Sequence, residues 1–218
     1  MNFSVIFDMD GVIVDSNPYH KIAWKLFCEQ HGINATDEDL EIKVFGRIGD
    51  EGVSNLLNYI PDKETIGAYV NEIDRNFRDV YAPFIKPIAG LENLLELLNK
   101  NNIKCAVATS APSLNVDMIL DKTGLRKYFV TVVDKNSVTK GKPDPEIYLK
   151  AASLLSVSPD ECIVIEDSVS GVTAALNAGM KVIGITTTHK AEELKNTNYV
   201  INSFSELDVD KLQMIFLR

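Results

Sequence analysis

Short apolar runs alternate with helix-period stripes along most of the chain. Val5–Phe7, Ile103–Ala108, Phe129–Val133, Cys162–Ile165, Val182–Ile185 and Tyr199–Ile201 are near-continuous stretches of apolar, mostly β-branched or aromatic residues. That is the pattern of strands buried on both faces, and it argues for a parallel sheet. Between these runs the apolar positions recur at helical spacing: Leu91, Leu94, Leu95 and Leu98; then Val116, Ile119 and Leu120; then a stretch from about Pro145 to Leu155; then Val172, Ala175 and Ala178 before Gly179. The apolar stretch Leu212–Leu217 reads as a packed terminal helix. Strands alternating with helices predict an α/β fold, a Rossmann-like parallel sheet core covered by helices.

One segment breaks the alternation. Between Asn17 and Tyr81 nothing reads as a strand. Pro18 opens a helix whose face is Tyr19, Ile22, Ala23, Leu26 and Phe27 and which ends at Gly32. Asp37 starts a short helix with Leu40 and Val44, a third helix carries Val53, Leu56, Leu57 and Ile60, and Asp62 starts a long fourth one toward Tyr81. This is too much chain for a single crossover, so it reads as an inserted all-helical cap subdomain. The expected division is an α/β core of residues 1–14 and 83–218 and a helical cap of residues 15–82. Pro83 and Pro87 mark the return to the core, and the two crossings are the natural hinge points.

Length and composition narrow the partners. With 218 residues, 45% hydrophobic and 24% charged, the chain suits one sizeable globular unit with an insertion. A formal charge of −9 argues against general binding to nucleic acid or anionic membranes. It leaves room for a small phosphorylated metabolite, because one lysine can dominate a cleft. No run reaches membrane-spanning length and no leader pattern precedes the first strand. Cys28, Cys105 and Cys162 lack ligand-like spacing and read as buried free thiols, which points to a cytoplasmic protein. A monomer is expected.

The chemistry gathers where strands end. In such a sheet all carboxyl ends lie on one edge, where ligands bind. Asp8 and Asp10 follow the first strand, with Gly11 permitting a tight bend; Thr109 and Ser110 follow the second; Glu166, Asp167 and Ser168 follow the fourth; Lys142 sits in the loop Lys140-Gly141-Lys142-Pro143. A group of acids, hydroxyls and an ammonium on one edge suits phosphoryl transfer. Carboxylates hold Mg²⁺, and hydroxyl and ammonium groups neutralise phosphate oxygens. In this reading Asp8 attacks phosphorus and Asp10 carries the proton. The Mg²⁺ is held by Asp8, the Asp10 carbonyl and Asp167, with Glu166 beside it, and Ser110 and Lys142 hold the phosphate. Plainer readings stand beside each of these: an Asp/Gly turn for the first loop, a strand end for Ser110, solvated loop lysines for Lys140 and Lys142, and a surface turn for Glu166-Asp167. Asp144 and Glu146 read as helix-start acids. His20, on the first cap helix, and Arg47, in a break between helices with a glycine on either side, are candidate substrate contacts; a helix-surface or interdomain histidine and a surface arginine are the alternatives.

These residues resemble the haloacid dehalogenase-like superfamily of phosphotransferases. Its four motifs are matched by Asp8-Met9-Asp10-Gly11-Val12, by Thr109-Ser110, by Lys140-Gly141-Lys142-Pro143-Asp144-Pro145-Glu146, and by Glu166-Asp167-Ser168 with Gly171. Within the superfamily the chain is similar to the β-phosphoglucomutase-like branch, with a helical cap after the first motif. The resemblance implies that Asp8 is the nucleophile, Asp10 the acid/base, Asp8, Asp10 and Asp167 the Mg²⁺ ligands with Glu166 adjacent, and Thr109, Ser110 and Lys142 the phosphate binders.

The chain departs from the mutase pattern in the donors that serve a second phosphate. Where mutases place Lys-Gly-Val-Ser-Arg in the cap loop, this chain has Phe45-Gly46-Arg47-Ile48-Gly49. Pro112 and Leu114 replace a serine and an asparagine beyond the second motif, and Ile73 falls near a cap lysine. A buried phosphate needs compensating charge, so the expectation is a Mg²⁺-dependent phosphatase for a small phosphomonoester, a sugar phosphate foremost. The alternatives are a β-phosphoglucomutase, an inorganic pyrophosphatase, and a non-catalytic module that binds a phosphorylated ligand.

Overall fold

The computed structural model describes residues 3–45 and 49–217. Six strands form one parallel sheet in the order β3-β2-β1-β4-β5-β6. They are β1 (Ser4–Phe7), β2 (Cys105–Ala108), β3 (Thr131–Val133), β4 (Cys162–Glu166), β5 (Lys181–Ile185) and β6 (Tyr199–Ile201). β1 is central and wholly buried, pairing with β2 on one side and β4 on the other. Val5, Ile6 and Phe7 lose all solvent exposure, and each such side chain contributes roughly 1.5–3 kcal/mol of burial energy. The chain runs outward from β1 through β2 to β3, then returns to place β4 on the opposite flank of β1. The strand order therefore reverses at β1 and β4, and the crevice beyond their carboxyl ends is where open α/β sheets bind ligands.

Five helices belong to the same unit: α5 (Leu91–Lys100), α6 (Ser113–Thr123), α7 (Glu146–Leu155), α8 (Val169–Asn177) and α9 (Val209–Phe216). Their buried stripes match the sequence periodicity, with Leu91, Leu94, Leu95 and Leu98 facing inward from α5. On α7 the inward residues are Ile147, Tyr148, Ala151, Ala152 and Leu155. The structure departs from the expected strand Phe129–Val133. Arg126–Tyr128 closes a 3-10 turn, Val130 is exposed, and ordered strand begins only at Thr131, which leaves β3 a short edge strand.

The apolar triplet Val12–Val14 is a buried turn. The Met9 carbonyl accepts from Ile13 and Val14 at 2.8 and 3.1 Å, and Gly11 N–H returns to the Val14 carbonyl at 2.7 Å. Gly11 has φ +83°, a left-handed conformation that glycine adopts without steric cost. The chain thus curls immediately after Asp8, with Met9, Val12, Ile13 and Val14 fully buried beneath the bend.

The second compact unit, Ser16–Phe84, is all-helical. It comprises α1 (Asn17–Gln30), α2 (Asp37–Lys43), α3 (Gly49–Leu57) and α4 (Lys63–Tyr81). Asp62 caps α4 by accepting from Thr65 N–H at 2.9 Å, an interaction that contributes about 1 kcal/mol. Thr36 and Asp39 close a capping box on α2. Trp24 and Phe27 of α1 pack within this unit, and Ile73 is buried on α4. No described helix is long and apolar enough to cross a membrane.

Candidate active site

Asp8 leaves β1 with its backbone N–H still bonded to the Ile165 carbonyl of β4 at 3.1 Å. That one bond places the first residue beyond β1 beside the last residues of β4, so Asp8 and the pair Glu166-Asp167 share the crevice. Ligand oxygens of Asp8, Glu166 and Asp167 lie within 4.8 Å of one another, and all three residues are buried. The Lys142 ammonium, itself buried, stands between two of them, 2.6 Å from Asp8 Oδ1 and 2.6 Å from Glu166 Oε1.

Glu166 has no solvent exposure and is fully engaged. Oε1 accepts from Lys142 and from the Tyr148 hydroxyl at 3.0 Å. Oε2 accepts from Ser168 N–H at 2.8 Å and from its hydroxyl at 2.9 Å. Burial alone would push this carboxyl up, but Lys142 and the Ser168 donors hold it below the usual range. The same Ser168 oxygen accepts from Gly171 N–H at 3.1 Å and caps α8. Gly171 cannot carry a side chain here, because a Cβ would fall on the Glu166 carboxylate.

Asp8 and Asp167 carry the unbalanced charge. Burial and then, on balance, the surrounding acids drive Asp8 well above its usual value, against the pull of Lys142. Asp167 is pushed up to about 7 by burial and then by Glu166. Burial would lower the Lys142 ammonium, yet Asp8 and Glu166 hold it well above the ordinary lysine value. Asp10 is half-buried, and its carboxyl lies close enough to add to the negative field at both Asp8 and Asp167.

Three clustered carboxylates against one ammonium leave two negative charges uncompensated, before Asp10 is counted. Carboxylate oxygens are hard donors and suit a small divalent cation. The donor set therefore fits Mg²⁺.

The remaining candidates have different surroundings. Thr109 is buried and structural in its contacts: its N–H donates to the Val133 carbonyl at 2.9 Å, and its hydroxyl accepts from Ala111 N–H at 3.1 Å. Ser110 is exposed in the turn after β2. His20 lies in the helical unit, stacked on Phe77 with ring centroids 3.9 Å apart. Arg47 lies outside the described residues. Pro112 is the N-cap of α6 and Leu114 is 64% exposed on its first turn.

Sequence reasoning missed three parts of the arrangement. Tyr148, within the helix expected from about Pro145 to Leu155, carries a hydroxyl that reaches Glu166. Glu146 is the expected helix-start acid of α7, and it also accepts from Thr139 N–H, Thr139 Oγ1 and Lys140 N–H at 2.8–2.9 Å, tying down the loop that carries Lys142. The loop after β5 also enters the site: Thr187 donates to the Gly11 carbonyl, and His189 Nδ1 lies 3.0 Å from the Asp167 carbonyl.

A family model described as haloacid dehalogenase-like hydrolase matches residues 5–185, spanning both halves of this site. The chain belongs to that family. This haloacid dehalogenase-like hydrolase is 36% identical over 180 residues to a phosphorylated carbohydrates phosphatase of Thermotoga maritima, covering 83% of each chain. It is 34% identical over 217 residues to a β-phosphoglucomutase of Bacillus subtilis, covering 96% of this chain and 93% of that one. A crystal structure of a family IA, variant 3 hydrolase from Entamoeba histolytica superposes with a TM-score of 0.93 at 31% identity, covering 99% and 100% of the two chains. Family membership and the buried acidic cluster together make the haloacid dehalogenase-like hydrolase an enzyme of Mg²⁺-dependent phosphoryl transfer or hydrolysis.

Proposed function

We propose that the chain is a Mg²⁺-dependent phosphatase for small phosphomonoesters, sugar phosphates foremost, working through an aspartyl-phosphate on Asp8. The observation that carries this reading is the contact of Lys142 with both Asp8 and Glu166. It pairs a nucleophilic carboxylate with a cation positioned to meet phosphate oxygens. Asp8 and Asp167 would hold Mg²⁺, which would supply the positive charge that keeps both carboxylates ionised and offsets the phosphoryl oxygens.

The chain's own groups supply the rest. Asp8 presents an oxygen to phosphorus, and the ester oxygen departs with a proton from Asp10. Asp10 then takes a proton from the water that releases phosphate from Asp8, so one group serves as acid and then base. Glu166, with donors on both oxygens, adds negative charge and fixes Lys142. Ser110 sits exposed at the turn after β2, where a hydroxyl can donate to a phosphate oxygen.

Hydrolysis is favoured over mutase chemistry by Ile73, Pro112 and Leu114. None can donate to a second phosphate through its side chain, and Ile73 is buried on α4. The similarity to a phosphorylated carbohydrates phosphatase points the same way. The match to a β-phosphoglucomutase over nearly the whole chain keeps the mutase as the second reading.

The deciding experiment is a Mg²⁺-dependent screen of phosphomonoesters and pyrophosphate, run beside isomerisation of β-glucose 1-phosphate with its bisphosphate activator. Phosphate release without isomerisation is the expected result. Efficient isomerisation with little release overturns it, and preferential release from pyrophosphate moves the substrate to that anhydride.

A further inference from the structure

The four motifs leave unassigned the loop Thr186-Thr187-Thr188-His189 that follows β5. It arrives there by strand pairing. β5 lies beside β4 in parallel register, Glu166 opposite Gly184, so the residues just past Ile185 emerge next to Asp167. Three consecutive residues then engage the site in three different ways. The Thr187 hydroxyl donates to the Gly11 carbonyl, in the bend after Asp8 and Asp10. The Thr188 hydroxyl hydrogen-bonds the Asp167 carboxylate. The His189 ring nitrogen Nδ1 meets the Asp167 backbone carbonyl at 3.0 Å.

The packing at Gly11 shows how close this arrangement is. A Cβ at Gly11 would collide with Oδ2 of Asp167 and come within 2.8 Å of Oγ1 of Thr188. The bare α-carbon of the first loop, the Asp167 carboxylate and the Thr188 hydroxyl therefore occupy one small volume. Thr186 provides a contrast two residues before Thr188. Its hydroxyl faces Asn202 Oδ1 at 2.8 Å and takes no part in the site.

We propose that Thr188 is a positioning residue for the metal: its hydroxyl fixes the rotamer of the Asp167 carboxylate, while Thr187 and His189 anchor the loop to the Gly11 and Asp167 backbone carbonyls. This rests on the Mg²⁺ reading of the acidic cluster. The physical logic is preorganisation. A ligating carboxylate free to rotate must lose that freedom when the ion binds, and one already held by a neighbour does not. Thr187 adds a second constraint, since its bond to Gly11 ties the Asp8 loop to the loop that holds Asp167.

The test is Mg²⁺ binding by calorimetry on the intact protein without substrate. Thr188→Val removes the hydroxyl at nearly constant shape, and Mg²⁺ affinity is expected to fall about 10-fold to 100-fold, the usual range for partners of metal ligands. Thr188→Ser, which keeps the hydroxyl, should recover most of it, and Thr186→Val should bind Mg²⁺ as the parent does. Thr188→Ala replaces the valine variant should the latter not fold. With saturating Mg²⁺ the Thr188→Val enzyme should regain most of its turnover. Unchanged affinity in Thr188→Val, or equal losses in the valine and serine variants, overturns the proposal while leaving the metal reading intact. A parent protein that binds no Mg²⁺ sinks the metal reading and this inference with it.

Discussion

Tyr148 donates its hydroxyl to Oε1 of Glu166 over 3.0 Å, the oxygen that Lys142 also holds at 2.6 Å. Its ring lies beneath the same ammonium, 5.0 Å from centroid to Nζ. A residue of α7 thus touches both charged groups that flank the nucleophile. Tyr148→Phe keeps the ring and removes the hydroxyl. Losing a buried hydrogen bond to a charged group is expected to cost about 1.5–3 kcal/mol of stability. Turnover should fall about 10-fold, because Ser168 and Lys142 still hold Glu166. Chemical denaturation and kcat measured on the same preparation check both, and an unaltered enzyme would show that the hydroxyl is dispensable.

Asp10 lies outside the tight cluster of three carboxylates yet near enough to raise the pKa of two of them. That position suits a proton carrier better than a fixed carboxylate ligand. Asp10→Asn retains the size and the backbone carbonyl while removing the carboxyl that can give and take a proton. Turnover should drop about 10²–10⁴-fold with Mg²⁺ affinity little changed. Full activity in this variant removes Asp10 from the proposed role.

Gly171 explains why the fourth loop tolerates no side chain at that position. Its α-carbon is packed on the Glu166 carboxylate, so Gly171→Ala must displace either α8 or the acid that anchors Lys142. Overpacking of this kind costs about 1–3 kcal/mol. A lowered thermal midpoint together with reduced turnover is expected; an alanine variant with parental stability would mean that Glu166 can move aside freely.

The parts of this molecule that were readable from sequence are those whose signal is local. Val5–Phe7 is apolar and β-branched or aromatic whatever surrounds it, and Leu91, Leu94, Leu95 and Leu98 mark a buried stripe by spacing alone. Asp8, Lys142, Glu166 and Asp167 could be placed on one edge because parallel strands share a direction. What stayed hidden depends on partners distant in the chain. Tyr148 sits in a run of core positions, and only the packing of α7 shows that its hydroxyl reaches Glu166. Thr187 and Thr188 form a polar connection without an acid or a glycine, and they matter only because β5 pairs with β4. Glu146 was recognisable as a helix-start acid, but its hydrogen bonds run backward to Thr139 and Lys140, a geometry that helix position does not encode. β3 was overextended for a related reason: Phe129 and Val130 have strand-like side chains, but the 3-10 turn before them and the exposure of Val130 are tertiary outcomes.

The raised pKa of Asp167 makes metal binding and stability depend on pH in opposite senses. Burial first, and then Glu166, pushes this carboxyl from the ordinary aspartate value of 3.8 to about 7 in the metal-free protein. The folded state therefore holds the proton more tightly than the unfolded chain does. Its contribution to stability is complete below about pH 4 and is lost as the pH climbs through about 7. Mg²⁺ competes with that same proton, so its apparent affinity should climb by up to about tenfold per pH unit below about pH 7 and level off above. Thermal midpoints with and without Mg²⁺ at about pH 5.5 and about pH 7.5 separate the two effects. The metal-free protein should be less stable through this group at the higher pH, and the increment from Mg²⁺ should be larger there. An increment that is the same at both pH values would mean that no proton leaves Asp167 when the ion binds.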